Sequence, residues 1–542
     1  RDYQTKPLCF WAWNGEMELE RIRSQLKDFK EKGMGGVFVH ARAGLKIPYM
    51  GEEWMDAFEA TVQECGRLGL DVWIYDEDGW PSGFGGGRVY AADPDYVERY
   101  LSWKEVLPGQ TLPEHLVAAY RRDGEGYRLI LADELIRDFE LPELSGTLAL
   151  GEGQSAYGSE RDFLRAAAEL RLQSAEGKAA EAASRHTEPR AEERGEPVLA
   201  VYATFNPVYV DILNRDAVQY FFQVIHERYR ERFADSFGKV IKGVFTDEPH
   251  FSPAGLPWGR YVAEAFEAAN GYSVYQALPY LFEKRGDYAP YRYDFWKNIS
   301  GMIQDSYARP YYAWCSANGL AFTGHYACEE GQVDQIAVSG GVMPLYEYQH
   351  LPGVDALGNR QAPAPIFKQA EAVAWQLGER RVLCETYACS GYDATFSDVM
   401  WIWGYQAAMG VNVPCLSISM YSLAGSRKRD YPVFFSEQLP WWEHFRELSD
   451  CFCRISGAML EGDRRDGILV IHPKTGVWCE RGKEAEIEEK SISSDFRRLT
   501  EALLDLQREF DYGDEQILAG HGKVSGTALE VGKRRYHTVM VP

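Results

Sequence analysis

The feature that most constrains this chain is a repeat in which short apolar runs alternate with amphipathic segments of helical period. Pro7-Leu-Cys-Phe-Trp-Ala-Trp13 reads as a first strand. A helix over about Glu18–Lys32 follows, with Leu19, Ile22, Leu26 and Phe29 at helical spacing, and Gly33-Met-Gly-Gly36 ends it. Val37–His40 gives a second strand, Trp54–Leu68 a second helix and Val72–Tyr75 a third strand. Strand–helix alternation builds a parallel sheet, because parallel neighbours need a crossover between them. Further strands are expected at the run ending in Glu248, at Leu320–His325, at Met343–Tyr348, at the run ending in Glu385 and at Val411–Ser417. Helices near Asp216–Phe233, Tyr293–Asn318 and Lys368–Leu377 separate most of them. Eight such units fit an α/β fold of the closed (β/α)8 TIM-barrel type, whose functional groups come from the carboxyl ends of the strands. An open doubly wound sheet would call for a glycine-rich phosphate turn. Gly83-Phe-Gly-Gly-Gly87 matches neither the GxGxxG fingerprint nor the P-loop.

At 542 residues the chain exceeds what one core organises. Residues 1–94 and 206–460 are expected to form the barrel. Residues 95–205 read as a β-rich insertion after the third strand. Its stretch over about Ser159–Pro197, dominated by Ala, Glu and Arg, suits an exposed helix or a flexible excursion. Residues 461–542 read as the opening of a truncated α/β domain, with strands at Asp466–Ile471 and Tyr536–Val541 around a helix near Phe496–Phe510.

A formal charge of −23 argues against nucleic acid and against an anionic membrane surface. No run of about twenty apolar residues is present to span a bilayer. Fifteen Trp and 33 Tyr suit a cleft that stacks on flat apolar faces, sugar rings among them. The ten cysteines form neither zinc-spaced pairs nor a disulfide framework, which favours a reducing, cytoplasmic setting. Opening on Arg1 and stopping in Val539–Pro542, the sequence reads as part of a longer chain, which leaves room for a targeting segment ahead of it. The expected partner is a carbohydrate, with nucleic acid and membrane set aside and a homo-oligomer admitted.

The chemistry is expected at Glu248, in Gly243-Val-Phe-Thr-Asp-Glu-Pro-His250, and Glu385, in Arg381-Val-Leu-Cys-Glu-Thr-Tyr387. Two carboxyls at strand ends are what glycosidic cleavage requires: one protonated, to give the leaving oxygen its proton, and one ionised, to activate water or attack carbon. Asp247 beside Glu248 supplies the like charge that raises a carboxyl's pKa. In Tyr75-Asp-Glu-Asp-Gly-Trp-Pro-Ser-Gly83, Asp76 and Glu77 are candidates for sugar hydroxyls or a hard cation, with Asp78 turned outward and Trp80 as an aromatic contact. Trp13 and Asn14 end the first strand as a platform and a polar contact. His40, His325 and His350 sit at strand ends, and Tyr387 beside Glu385 completes the set. Alternation would turn His325, or Glu347 with Gln349, inward. Trp401 and Trp403 fall in a helix and read as packing. No GxSxG elbow, HExxH pair or Walker loop occurs.

Phe10-Trp-Ala-Trp-Asn-Gly15, the YDEDGWPSG run, Phe245-Thr-Asp-Glu-Pro249 and Cys384-Glu-Thr-Tyr387 resemble a bacterial glycoside hydrolase group related to the family 106 α-L-rhamnosidases, over roughly residues 5–475 without the insertion. The resemblance implies a catalytic barrel with added β domains and inverting hydrolysis, Glu248 matching the acid and Glu385 the base. It also implies no organic cofactor but a Ca2+ ion near the sugar hydroxyls, with Glu347 in the right interval for a ligand. The pattern is more distantly similar to the retaining family 42 β-galactosidases, whose acid follows an asparagine where this chain has Asp247. Two rival readings therefore stand beside an exo-acting, rhamnosidase-like hydrolase. One is a retaining β-galactosidase-like enzyme with Glu385 as nucleophile; the other is a carbohydrate-binding barrel without catalysis.

Overall fold

The computed structural model describes residues 5–130, 135, 196–465, 467–482 and 487–542. Its centre is a closed barrel of eight parallel strands: β1 (Leu8–Trp13), β2 (Gly36–Ala41), β3 (Asp71–Tyr75), β4 (Ile241–Asp247), β5 (Ala321–His325), β6 (Leu351–Ala356), β7 (Leu383–Thr386) and β8 (Val413–Met420). Sequential strands are neighbours, and β1 closes the ring by pairing Leu8 with Cys415 of β8 as well as with Gly36 of β2. The (β/α)8 architecture read from the strand–helix alternation is therefore the observed one.

Period-two alternation decides what each strand puts inside. On β1, Leu8, Phe10 and Ala12 face the barrel interior, while Trp11 and Trp13 join the core between strands and helices. The helix Leu19–Glu31 buries Ile22, Leu26 and Phe29 against that layer, leaving Leu19 exposed. Inside, Phe10, Phe38, Tyr75 and Phe245 from β1–β4 meet mostly edge to face, with centroids 4.8 Å apart for Phe10–Phe245 and 5.1 Å for Phe38–Phe245. The rings need space opposite them, and small residues on β4–β6 leave it. A Cβ on Gly243 would lie 2.3 Å from the Trp73 ring, and one on Gly353 2.5 Å from the Gly324 carbonyl oxygen. The result is a packed aromatic floor beneath the carboxyl ends of the strands.

One element departs from the sequence reading. Met343–Tyr346 is a short helix, with Pro344 in its first turn, and the sixth strand is Leu351–Ala356. Proline is at home in a first helical turn and costs a ladder bond inside a strand. The true strand carries its own proline, Pro352, and its ladder to β5 is short, pairing only Thr323 with Leu351 and Gly324 with Pro352. The helix expected over Asp216–Phe233 is two, Arg215–Val224 and His226–Phe233.

After β3 the chain leaves the barrel to form a five-stranded antiparallel sheet from Val97–Val106, Leu116–Asp123, Gly126–Leu129 and Val198–Val210, completed by Leu256–Trp258 from the loop after β4. The Ala/Glu/Arg-rich segment lies, up to residue 195, outside the described residues. The carboxyl-terminal unit is a second five-stranded sheet, in which Gly467–Ile471 pairs in parallel with Phe510–Gly513 and Arg534–Met540. It is bolted to the barrel: Trp478 donates to the Gly340 carbonyl at 3.0 Å, Gln376 to that of Tyr512 at 2.9 Å, and Arg464 bridges Glu371 and Asp511. No described helix is long and apolar enough to cross a membrane.

Gly324, at φ +144 with the Thr246 carbonyl oxygen 2.0 Å from an ideal Cβ, admits no side chain without parting β5 from β4. Gly324→Ala is expected to cost roughly 2–5 kcal/mol in denaturant unfolding, the sum of strain and overpacking. Gly301→Ala, in a helix with open space around it, should instead add up to about 1 kcal/mol.

Candidate active site

Above the aromatic floor the inward positions turn polar. His40 of β2, Asp247 of β4, His325 of β5, Asp355 of β6 and Glu385 of β7 line one pocket with Glu248, Arg42, Ser417, Trp80 and Tyr431. Asp247 is the anchor. It accepts a short hydrogen bond from the Tyr75 hydroxyl and pairs with His325 Nε2 at 2.9 Å, while its own N–H donates to Ser82 Oγ at 2.7 Å. The other ring nitrogen of His325 lies 3.8 Å from Glu385 Oε2. Burial works against charge on this ring, but Asp247, Asp355 and Glu385 outweigh it and hold the imidazole pKa well above its usual value. The centre of the site is therefore an imidazolium enclosed by carboxyls.

Those carboxyls differ in environment. Glu248 is pushed up to about 7 by burial and by Asp247, with His325 opposing. Glu385 is also pushed up to about 7 by burial and Asp247, but His325, a hydrogen bond from Ser417 and the Arg42 guanidinium all favour its charge. Moving a carboxyl from its ordinary value to about 7 corresponds to roughly 3 kcal/mol in favour of the neutral form. Asp355 lies well above the carboxylate range through burial and the nearby Glu385, and its Oδ1 has no partner among the described residues. Glu248 sits at φ +46, a conformation an L-residue holds only under constraint. Its N–H donates to the His325 carbonyl at 3.2 Å, and His250 Nδ1 is 2.7 Å from its carbonyl oxygen.

Of the residues singled out from sequence, Glu248, Glu385, Asp247, His325, His40 and Trp80 line this pocket. His40 stacks on Tyr75 at 3.6 Å, and neither ring nitrogen has a partner among the described residues. Burial, with Arg42 nearby, holds it neutral. Trp80 is half exposed at the rim. The remainder do not line it. Trp13 points outward and packs on Trp54 at 4.8 Å, as alternation from the inward Phe10 requires. Asn14 bridges the end of β1 to the Ser422 backbone, accepting at 2.8 Å and donating at 3.0 Å. Asp76 lies buried below the pocket, accepting from Ser82 at 2.5 Å and Tyr311 at 2.7 Å. Glu77 gathers the N–H groups of Asp78, Gly83, Gly85 and Gly86, so it shapes the glycine loop rather than meeting solvent. Tyr387 donates to the Val399 carbonyl at 3.1 Å.

Glu347 and His350 move away with the displaced sixth strand. Glu347 pairs with His521 at 2.9 Å in a separate groove, out of reach of a metal in this pocket. His350 takes the Phe322 N–H at 3.1 Å and stacks on Tyr312. Sequence reading missed Asp355, Arg42, Ser417 and Tyr431. Arg42 had a signal, lying two residues beyond the inward His40; it pairs with Asp430 at 2.9 and 3.0 Å. Asp355 had none once its strand was misplaced. Glu329 orders that strand end, accepting from the Asp355 N–H at 3.1 Å and from the Tyr346 hydroxyl.

No protein-family model and no curated protein matches the sequence. Among solved structures, a rhamnosidase from Novosphingobium sp. PP1Y superposes with a TM-score of 0.66 at 16% identity, over 99% of this chain and 66% of that one. A β-galactosidase from Bacillus circulans sp. alkalophilus gives 0.53 at 10% identity, over 94% and 66%. A catalytic mutant of a GH42 β-galactosidase from G. stearothermophilus gives 0.51 at 9%, over the same shares. These likenesses establish the barrel fold. The chain spans just under two thirds of the length of each.

Asp76, Glu248, Glu329 and Glu385 are all lifted to about 7 in the folded chain, burial being the first cause of each. The folded state then binds more protons than the unfolded one between about pH 4 and pH 7, so stability falls as pH rises through that window. Self-repulsion at a charge of −23 acts the same way. The melting temperature is expected to be higher at pH 5.5 than at pH 8; the reverse order would show these carboxyls to be ionised in the fold.

Proposed function

We propose that this protein is an exo-acting glycoside hydrolase, inverting in mechanism, with α-L-rhamnosides or related deoxy-sugar linkages as preferred substrates. The observation that carries the reading is the unequal support of two carboxyls at one pocket. Asp247 opposes charge on both, but Glu385 has His325, Ser417 and Arg42 to favour it, whereas Glu248 has His325 alone against Asp247 and Glu330. Both carboxyls are raised to about 7, and the fuller support for charge around Glu385 favours it as the ionised member and Glu248 as the protonated one. Glu248 would protonate the glycosidic oxygen as the bond breaks. Glu385 would take a proton from the water that attacks the anomeric carbon on the opposite face. His40 and Asp355, each with an unpartnered polar atom, would bind ring hydroxyls, and Trp80 and Tyr431 would cover the apolar face.

The space at the pocket's centre is only about 40 Å3. A sugar ring therefore enters by displacing the exposed rim aromatics, and a pocket this confined suits a terminal residue rather than the middle of a polymer. The preference for rhamnosides draws support from the Novosphingobium rhamnosidase, whose TM-score exceeds those of the two β-galactosidases. A calcium ion would have to find its oxygens on Asp247, Glu248, Asp355 and Glu385. The donor groups these form close up around His325, and a hard cation that seeks six to eight oxygens fits poorly beside an imidazolium.

A panel of nitrophenyl glycosides, α-L-rhamnoside and β-D-galactoside included, with calcium or with chelator, tests the reading. Rhamnoside cleavage is expected, and NMR of the first-formed sugar should show the inverted anomer. Retention would make Glu385 a nucleophile. Glu248→Gln and Glu385→Gln should each fold normally and lose roughly 10²–10⁴ in kcat/KM. The wild-type pH profile should be bell-shaped around 7, and Glu385→Gln should lose its acidic limb. Saturable stabilisation by sugars with no hydrolysis of any substrate would favour the carbohydrate-binding barrel.

A further inference from the structure

At the opposite, amino-terminal end of the barrel lies a larger cavity, about 520 Å3, that plays no part in the chemistry above. Its polar lining is Asp71, Trp73, Lys239, Lys242 and Arg381. In a chain of net charge −23 this is an unusual concentration of cations. Lys239, Lys242 and Arg381 set three positive charges against Asp71 in the lining and Glu379 beside Arg381, a local balance of about +1 when each group carries its ordinary charge.

Two donors within the cavity wall are unspent. Trp73 is 4% exposed, and its indole N–H has no acceptor among the described residues. The Nε–H of Arg381 is likewise buried without a partner. An indole nitrogen and a guanidinium nitrogen donate and never accept. Burial, the largest influence on Arg381, works against its charge, while Asp71 and Glu379 support it only in part. An incoming anion would supply what is missing.

We infer that this cavity binds a doubly charged phosphate-type oxyanion, free or as the phosphate group of a small ester. Lysine ammoniums meet such a group as point charges, arginine meets it with directed N–H donors, and the volume leaves space for a small organic body beside it. Asp71 opens β3 with Trp73 two residues on, Lys242 is the second residue of β4 and Arg381 stands just before β7. The same strands carry Tyr75, Asp247 and Glu385 at or next to their carboxyl ends, so the ligand would sit at the far end of the segments that carry the pocket. The inference does not depend on the glycosidase reading.

Isothermal titration calorimetry of the full chain with inorganic phosphate and with glucose 6-phosphate, each against sodium chloride of equal ionic strength, tests it. Saturable one-site binding at millimolar or tighter affinity is expected, weakened at least tenfold in the double variant Lys239→Gln/Lys242→Gln. Both lysines are at least partly exposed, so the variant should fold, as circular dichroism would verify. Tighter binding of the ester would identify a phosphate monoester as the ligand, and equal binding the free ion. Heats indistinguishable from the chloride control, or undiminished binding in the double variant, would overturn the proposal.

Discussion

A closed barrel must fill its own interior, and everything at the mouth of this one depends on how the lower half is filled. Phe10, Phe38, Tyr75 and Phe245 crowd one side and small residues such as Gly243 and Gly353 yield on the other. The plug excludes water from below, so the carboxyls resting on it are desolvated. Desolvation is the first cause of the raised pKa at Glu248, Asp355 and Glu385 alike. Tyr75 belongs to both layers: its ring is part of the floor and its hydroxyl fixes Asp247. Without the aromatic floor the acids above would be ordinary surface carboxylates, and the imidazolium of His325 would have nothing to balance.

The site shows how several ionisable groups can be buried side by side. Four carboxyls and two histidines share the mouth, and full ionisation of all of them would be prohibitive in a dry pocket. Raising the protonation of some while His325 stays charged brings the sum near balance. Arg42 adds a second cation, but its bidentate pair with Asp430 largely neutralises it. What remains is a small set of protons distributed among coupled groups, and such a set responds sharply to one neighbour more or less.

Much of this was legible in the sequence, and the failures have physical reasons. Seven strands announce themselves as apolar runs bounded by glycine or a helix. The sixth does not, because Leu351-Pro-Gly-Val-Asp-Ala356 carries the two residues that usually mark a strand's absence. It survives because neighbouring strands and the Thr323 hydroxyl, which donates to the Leu351 carbonyl, hold it in place. Losing that strand cost Asp355 and wrongly promoted Glu347 and His350. Trp13 failed for another reason: its place at a strand end was noticed but its parity was not, and alternation from Phe10 turns it away. Asp76 and Glu77 show the limit of composition. A run of acids at a strand end looks like a binding loop, yet one carboxyl is spent on the Ser82 and Tyr311 hydroxyls and the other on backbone N–H groups of the glycine turn.

The insertion after β3 is more than an ornament on the barrel. Its sheet takes Leu256–Trp258 as an edge strand, only a few residues beyond Glu248. Glu98 holds the Ser252 N–H, and the Tyr209 hydroxyl donates to the Ser82 carbonyl beneath the same loop. The segment bearing Glu248 is thus a bridge with one abutment in the barrel and the other in the insertion. Neither unit can loosen alone without slackening it. Drift in the insertion's sequence is therefore costly along the seam, and at the far edge as well, where Arg122 and Tyr127 donate to Glu283; a graft of this barrel onto another scaffold would have to carry both with it.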